Sequence, residues 1–157
     1  MPRRRKEYFP YQPGEPEPLA ALTCRRVRFE EVDPIHFVWH GRYPSYLEDG
    51  RVAFGEKYRL GYSEFIREKF MAPIVAMHID YHHPLVLLDE FEIHTLLHWT
   101  EAARLNFSYK IINSKTKELA VTAYTIQLLM DEQRELMLVP PEYFYQFLQK
   151  WKNKKFR

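Results

Sequence analysis

One acidic residue stands where it could do chemistry. In the stretch VRFEEVDPIHFVWHGRYPSYLEDGR, residues 27–51, Asp33 falls between the expected end of a strand and the start of a helix, and Trp39-His40-Gly41 follows at the helix N-terminus. A helix N-terminus presents unpaired backbone N–H groups and a partial positive charge. Such donors polarise a carbonyl oxygen while a carboxylate beside them attacks the carbonyl or activates water, a combination suited to hydrolysis of an activated acyl group. The same residues also admit a plainer use, in which Asp33 only hydrogen-bonds the turn it begins. Seven histidines call for a second test. Asp33, His36 and His40 are close in sequence, His78, Asp80 and His82 alternate along one segment, and His94 and His98 along the next. Zinc needs three or four such groups converging at ~2 Å. Polar residues alternating on the outer face of a sheet produce the same pattern, and no metal is expected.

The elements that would position Asp33 follow from periodicity. A strand is expected from Thr23 to Glu31, with Val27 and Phe29 on one face, ended by Pro34. Residues 41–59 read as a long helix in which Pro44 must fall in the first turn. Tyr43, Leu47, Gly50, Phe54 and Tyr58 recur at spacings of three and four and form one stripe. Gly50 on that stripe would let the helix approach a sheet closely. Gly61 marks a stop, and a short helix is expected near 62–68. After Pro73 the period becomes two: Val75 to Tyr81, Phe91 to Trp99, Leu105 to Ile111 and Leu119 to Met130 read as an antiparallel meander. A terminal helix is expected at 142–152. One strand, one long amphipathic helix and four further strands make an α+β domain whose sheet of about five strands wraps around a central helix.

Residues 1–20 hold five of the eleven prolines and read as an extended arm, with a single domain over 21–157. The two ends carry +3 and +5 of a chain whose formal charge is +2, so residues 8–149 carry −6. An acidic body between basic tips, Arg3 to Lys6 and Lys150 to Arg157, lacks a broad footprint for nucleic acid. Cys24 has no partner for a disulfide or a thiolate metal site, and no apolar run reaches the ~18 residues of a membrane span. A cytoplasmic protein is the expectation.

The segment with Asp33-Pro34, Phe37-Val38-Trp39-His40, Tyr43, Tyr46 and Arg51 resembles the opening of the 4-hydroxybenzoyl-CoA thioesterase family of hotdog proteins, and its aromatic-His pair resembles the YbgC-like acyl-CoA thioesterases. Downstream, Pro73-Ile74-Val75, Asp80 to Pro84 and Asp89-Glu90 are similar to the family's next strands, so the resemblance covers roughly residues 22–140. It implies a hotdog fold and an acyl-CoA thioesterase without a cofactor. Asp33 would be general base or nucleophile. The His40 N–H would bind the thioester oxygen, with its side chain assisting proton transfer, and Trp39, Tyr43, Tyr46 and Arg104 would contact the substrate, Arg104 at the CoA phosphates. It further implies a homodimer or homotetramer. Two departures stand out: where the family usually has glycine, this chain has His36 and Leu88. A non-catalytic acyl-CoA or acyl-carrier binding protein on the same fold is the competing class, while the His/Glu arrangement of a hotdog dehydratase helix is not evident.

Overall fold

A computed structural model describes residues 7–156; the basic residues Arg3 to Lys6, and Arg157, lie outside them. Five strands form one antiparallel sheet: β1 (Leu19–Arg26), β2 (Ile74–Tyr81), β3 (Glu90–His98), β4 (Arg104–Asn113) and β5 (Leu119–Leu128), in spatial order β1-β3-β4-β5-β2. Helix α1 (Tyr43–Tyr58) crosses the inner face, α2 (Tyr62–Arg67) follows it, and α3 (Glu142–Lys152) closes the chain. This is the hotdog arrangement.

The inner face explains why α1 lies where it does. Leu105, Phe107, Tyr109 and Ile111 of β4 alternate with outer-facing Asn106, Ser108 and Lys110, and β3 presents Phe91, Ile93, Thr95 and Leu97 inward. Leu47 and Phe54 of α1 are fully buried against them. Gly50 is the point of closest approach, where a β-carbon would overlap the Thr95 hydroxyl and press on Ile93. Pro44 sits in the first turn, where its missing N–H costs nothing. Arg59 takes a left-handed conformation at the helix end, and its N–H bonds the Gly55 carbonyl.

The first strand is displaced from its expected place. It runs over Leu19–Arg26, pairing with β3 from Leu19↔Leu97 to Arg26↔Glu90, and Phe29–Glu31 form a 3₁₀ turn instead. After Arg26 the ladder has no further partner. Val27 turns into the core, held by hydrogen bonds to the 88–89 backbone, and Phe29 is left 78% exposed. Residues 7–18, before β1, form no helix or strand. Tyr8 and Phe9 pack on the outer face, Tyr8 donating to Asp80 at 2.6 Å and Phe9 lying 5.1 Å from the His98 ring. The Trp151 indole donates to the Glu17 carbonyl at 2.8 Å, tying this segment to α3. The fourth expected strand of the meander also stops short: β5 ends at Leu128, and Met130 instead bridges Met71 and Leu136.

Strands β1 and β2 are the sheet edges. A bulge between Ile74 and Ala76 interrupts β2, so Val75 leaves the expected inner set, which keeps Met77, Ile79 and Tyr81 opposite Thr125, Ala123 and Val121. Ile74, Val75, Met77 and Tyr81 are all between 38% and 54% exposed along that open edge.

Candidate active site

Asp33 begins a tight turn whose two ends pair as a bridge between Val32 and Val38. Its N–H donates to the Phe37 carbonyl at 2.7 Å, and its Oδ1 accepts the N–H groups of Ile35 (3.0 Å) and Phe37 (3.2 Å). Oδ2 takes no hydrogen bond among the described residues. The plainer use of Asp33 is thus realised on one oxygen, while the other stays available. A carboxylate fixed through one oxygen has its orientation set and keeps an acceptor for chemistry.

His36 lies at the crest of this turn with φ 66°, and Leu88, on the neighbouring loop, has φ 68°. Both are left-handed conformations that glycine adopts without steric cost. The two positions where the sequence departs from glycine are therefore two at which the backbone asks for it. The loops are joined by hydrogen bonds from Val38 N–H to the Leu85 carbonyl (2.8 Å) and from Leu87 N–H to the His36 carbonyl (3.1 Å), so the pair of strained turns forms one unit.

After the turn, Trp39 N–H donates to the Glu31 carbonyl, and the chain enters a 3₁₀ turn over His40–Arg42 that runs directly into α1. The His40 N–H belongs to this first turn, where helical N–H groups lack an intrahelical acceptor. Trp39 folds back over Gly41, where any β-carbon would collide with the indole ring. Its ring centroid is 5.0 Å from that of His40, and both side chains are exposed. The His40 carbonyl accepts a 2.9 Å hydrogen bond from the Tyr81 hydroxyl, which clamps the helix start to the end of β2.

Tyr43 and Tyr46 are buried beneath this surface, 3% and 4% exposed. Their rings continue an aromatic row, Tyr81–Tyr43 at 5.3 Å, Tyr43–Tyr46 at 5.7 Å and Tyr46–Phe91 at 4.6 Å. Burial first, then the hydrogen bond to Glu31, raises the Tyr46 phenol far above its ordinary value, so it remains a donor to Glu31 at 2.5 Å. Burial likewise raises Tyr43, offset in part by a backbone N–H from Leu85. These phenols act as a neutral, hydrogen-bonded floor.

The structure brings Asp33, Trp39, His40, Tyr43 and Tyr46 together at the N-terminal end of α1. It does not bring Arg104 there. Arg104 opens β4 opposite Leu128, at the end of the sheet where β2 begins, whereas Tyr81 and His40 meet where β2 ends. Seven residue steps of a strand, about 23 Å, separate those ends. Arg104 is held by Asn106, its Nε donating to Oδ1 at 2.9 Å on the outer face. Sequence reasoning did not find Tyr81 or Glu31; each meets the site through tertiary contacts that no local spacing encodes. The histidines of the outer face pair locally, His78 with Asp80 (3.0 Å), His94 with Glu92 (2.8 Å) and His98 with Ser108 (2.6 Å). Among the described residues no three His, Cys, Asp or Glu side chains converge as a metal site would require.

The model of the thioesterase-like superfamily matches residues 27–151 of this chain. "Putative acyl-CoA thioesterase YneP" of Bacillus subtilis is 26% identical over 107 residues, spanning 68% of this chain and 77% of its own length. Among solved structures, the hypothetical protein TT1821 from Thermus thermophilus superposes with a TM-score of 0.74 at 26% identity, covering 82% of this chain and 97% of that one. Slr0204, a 1,4-dihydroxy-2-naphthoyl-CoA thioesterase from Synechocystis, superposes with a TM-score of 0.73 at 18% identity, covering 85% and 96%; at that identity the likeness is one of fold.

Proposed function

The chain belongs to the thioesterase-like superfamily, and from that premise we propose that it hydrolyses an acyl-CoA thioester to a free acid and CoA. The observation that carries this reading is the Asp33 carboxylate, anchored through Oδ1 with Oδ2 unbonded, next to the N-terminal turn that opens at His40. The thioester carbonyl oxygen would accept the His40 N–H, which stabilises the charge that gathers on that oxygen as the carbon becomes tetrahedral. Asp33 acts either by taking a proton from water as the water oxygen adds to the carbonyl carbon, or by adding to that carbon itself and passing through an anhydride that water then opens. In both routes the carbon–sulfur bond breaks and sulfur leaves with the electron pair, and protonation yields the CoA thiol. The exposed His40 side chain would deliver that proton.

The substrate is an acyl-CoA in this reading, as the name of the Bacillus relative has it. Arg104 serves the nucleotide phosphates from the far end of the sheet. Two copies joined antiparallel through the open edge of β2 would set the Arg104 end of one chain beside the Asp33 end of the other and would cover Ile74, Met77 and Tyr81. A homodimer, or a homotetramer built from it, is the proposed assembly.

Asp33→Asn keeps the size and the anchoring acceptor but removes the charge. The variant should fold normally and lose roughly 10²–10⁴-fold in kcat on an acyl-CoA panel, the range for a lost acid–base group. Near-normal turnover would remove Asp33 from the chemistry. A wild-type protein that binds acyl-CoA but never releases CoA thiol would instead belong to the non-catalytic class.

A further inference from the structure

The peptide joining His40 to Gly41 is the least restrained link of the candidate site. In an α-helix the His40 carbonyl would accept the N–H of residue 44, but that residue is Pro44 and has none. Gly41 lies on the other side of the same peptide. The Trp39 indole leaves no room there for a β-carbon, yet glycine also permits the positive φ that side chains resist. A peptide without its helical donor and beside a glycine can rotate about its flanking single bonds. Such a rotation exchanges the directions of its carbonyl and its N–H.

The Tyr81 hydroxyl supplies the donor that position 44 lacks. It reaches the His40 carbonyl at 2.9 Å from the end of β2. Its ring packs edge-on, at 5.3 Å, against the buried ring of Tyr43. Burial raises the Tyr81 phenol above its ordinary value, so it stays a protonated donor. The planar amide carries the constraint across. With its carbonyl tied to β2, the Gly41 N–H is turned the opposite way, out of the first turn alongside the His40 N–H. Neither of these N–H groups has an acceptor among the described residues, whereas the next, that of Arg42, is bonded to the Trp39 carbonyl at 2.9 Å. A hydrogen bond accepted by a carbonyl also polarises the N–H of the same peptide.

We propose that Tyr81 is a positioning residue for thioester hydrolysis: by holding the His40 carbonyl it aims the Gly41 N–H, beside that of His40, at the thioester oxygen. The proposal rests on the acyl-CoA reading above. Tyr81 acts through the peptide and not on the substrate. Were the peptide reversed, the His40 carbonyl would turn its partial negative charge toward the oxygen on which charge gathers, and a donor would be lost as well. That charge appears only as the carbon becomes tetrahedral, so ground-state binding changes little.

Tyr81→Phe keeps the ring and removes only the donor. Verified as folded by thermal melting and of wild-type mass by light scattering, it should lower kcat roughly 3–10-fold on every acyl-CoA hydrolysed, with KM held within about twofold. Pro44→Ala restores an N–H four residues after His40. The double variant Tyr81→Phe/Pro44→Ala should therefore recover most of the loss, which a merely structural phenol would not. With five glycines in the chain, the Gly41 amide can be followed by ¹⁵N nuclear magnetic resonance without any ligand. In Tyr81→Phe its signal should shift and broaden as the peptide samples both orientations, while Gly50 and Gly55 stay unmoved. An unmoved Gly41 signal would overturn the proposal whether or not a thioester is turned over. So would an active wild type whose kcat survives in Tyr81→Phe, or a loss that Pro44→Ala leaves unrepaired. A wild type that hydrolyses no acyl-CoA is a separate failure, which removes the acyl-CoA reading and the role of Tyr81 with it.

Discussion

A side chain at positive φ costs about 1–2 kcal/mol in steric crowding against the backbone, and His36 and Leu88 both sit there, at 66° and 68°. Replacing either by glycine removes the crowding but admits about 0.5–1 kcal/mol of extra unfolded-chain freedom. The steric term is the larger, so each glycine variant should gain up to about 1 kcal/mol, read as a rise of a few degrees in Tm; a fall would mean that the side chain makes contacts worth more than its strain. Arg104→Ala tests a different single residue. A phosphate contact distant from the reacting carbon binds ground and transition states alike, so KM should rise with kcat little changed. The loss should shrink with substrates truncated to the pantetheine arm; equal losses with both would assign Arg104 another task. At this scale the sequence was partly legible. Asp33, Trp39 and His40 fall within one stretch of eight residues and could be picked out together. Tyr81 is clamped to His40 across 41 positions, so nothing local marks it.

The docking of α1 on the sheet is limited by Gly50. Helix propensity alone favours alanine there by roughly 0.5–1 kcal/mol. The added methyl, however, overlaps the Thr95 hydroxyl, and forcing atoms into a packed core costs typically 1–3 kcal/mol. Gly50→Ala should therefore lower stability by about 1–2 kcal/mol in denaturant unfolding, and Thr95→Ala combined with it should recover most of that. A stable single variant would show that the helix shifts freely. The helix itself was legible, because spacings of three and four over sixteen residues leave few alternatives, and β3 to β5 were legible through alternation. The bounds of the first strand were not, since only Thr23–Arg26 of the expected span lies in β1. Val27 and Phe29 alternate as a strand would, but a ladder needs a partner, and β3 begins only at Glu90, opposite Arg26. The bulge at Val75 was likewise invisible to a pattern of two.

For the molecule as a whole, the open β2 edge predicts self-association: light scattering at micromolar concentration should report at least a dimer, and a strictly monomeric mass would overturn that assembly. A pH dependence should come from the outer face. Burial lowers the pKa of His98 below its ordinary 6.5, with Glu7 opposing, and the Phe9 ring covers it. Above pH 6.5 the imidazole is neutral folded or unfolded, and this stability is fully present. As pH falls through 6.5 the unfolded chain takes the proton first, so stability drops until the pH is below the folded value. His98→Gln should flatten the urea midpoint between pH 7.5 and 5.5 relative to the wild type; parallel curves would place the titration elsewhere.

The segment before β1 has a kinetic consequence. Tyr8 reaches Asp80 and Thr122, and Glu17 reaches Trp151, contacts that span 72, 114 and 134 positions. Each closes a long loop among the described residues, and such contacts are rewarded only after the sheet that receives them exists. Seating of this segment should then be a late event, following the main barrier. Tyr8→Phe and, as a separate variant, truncation of the segment before β1 should each leave the refolding rate nearly unchanged and quicken unfolding. A slowed folding limb of the chevron would instead make the arm part of the nucleus around which the rest assembles.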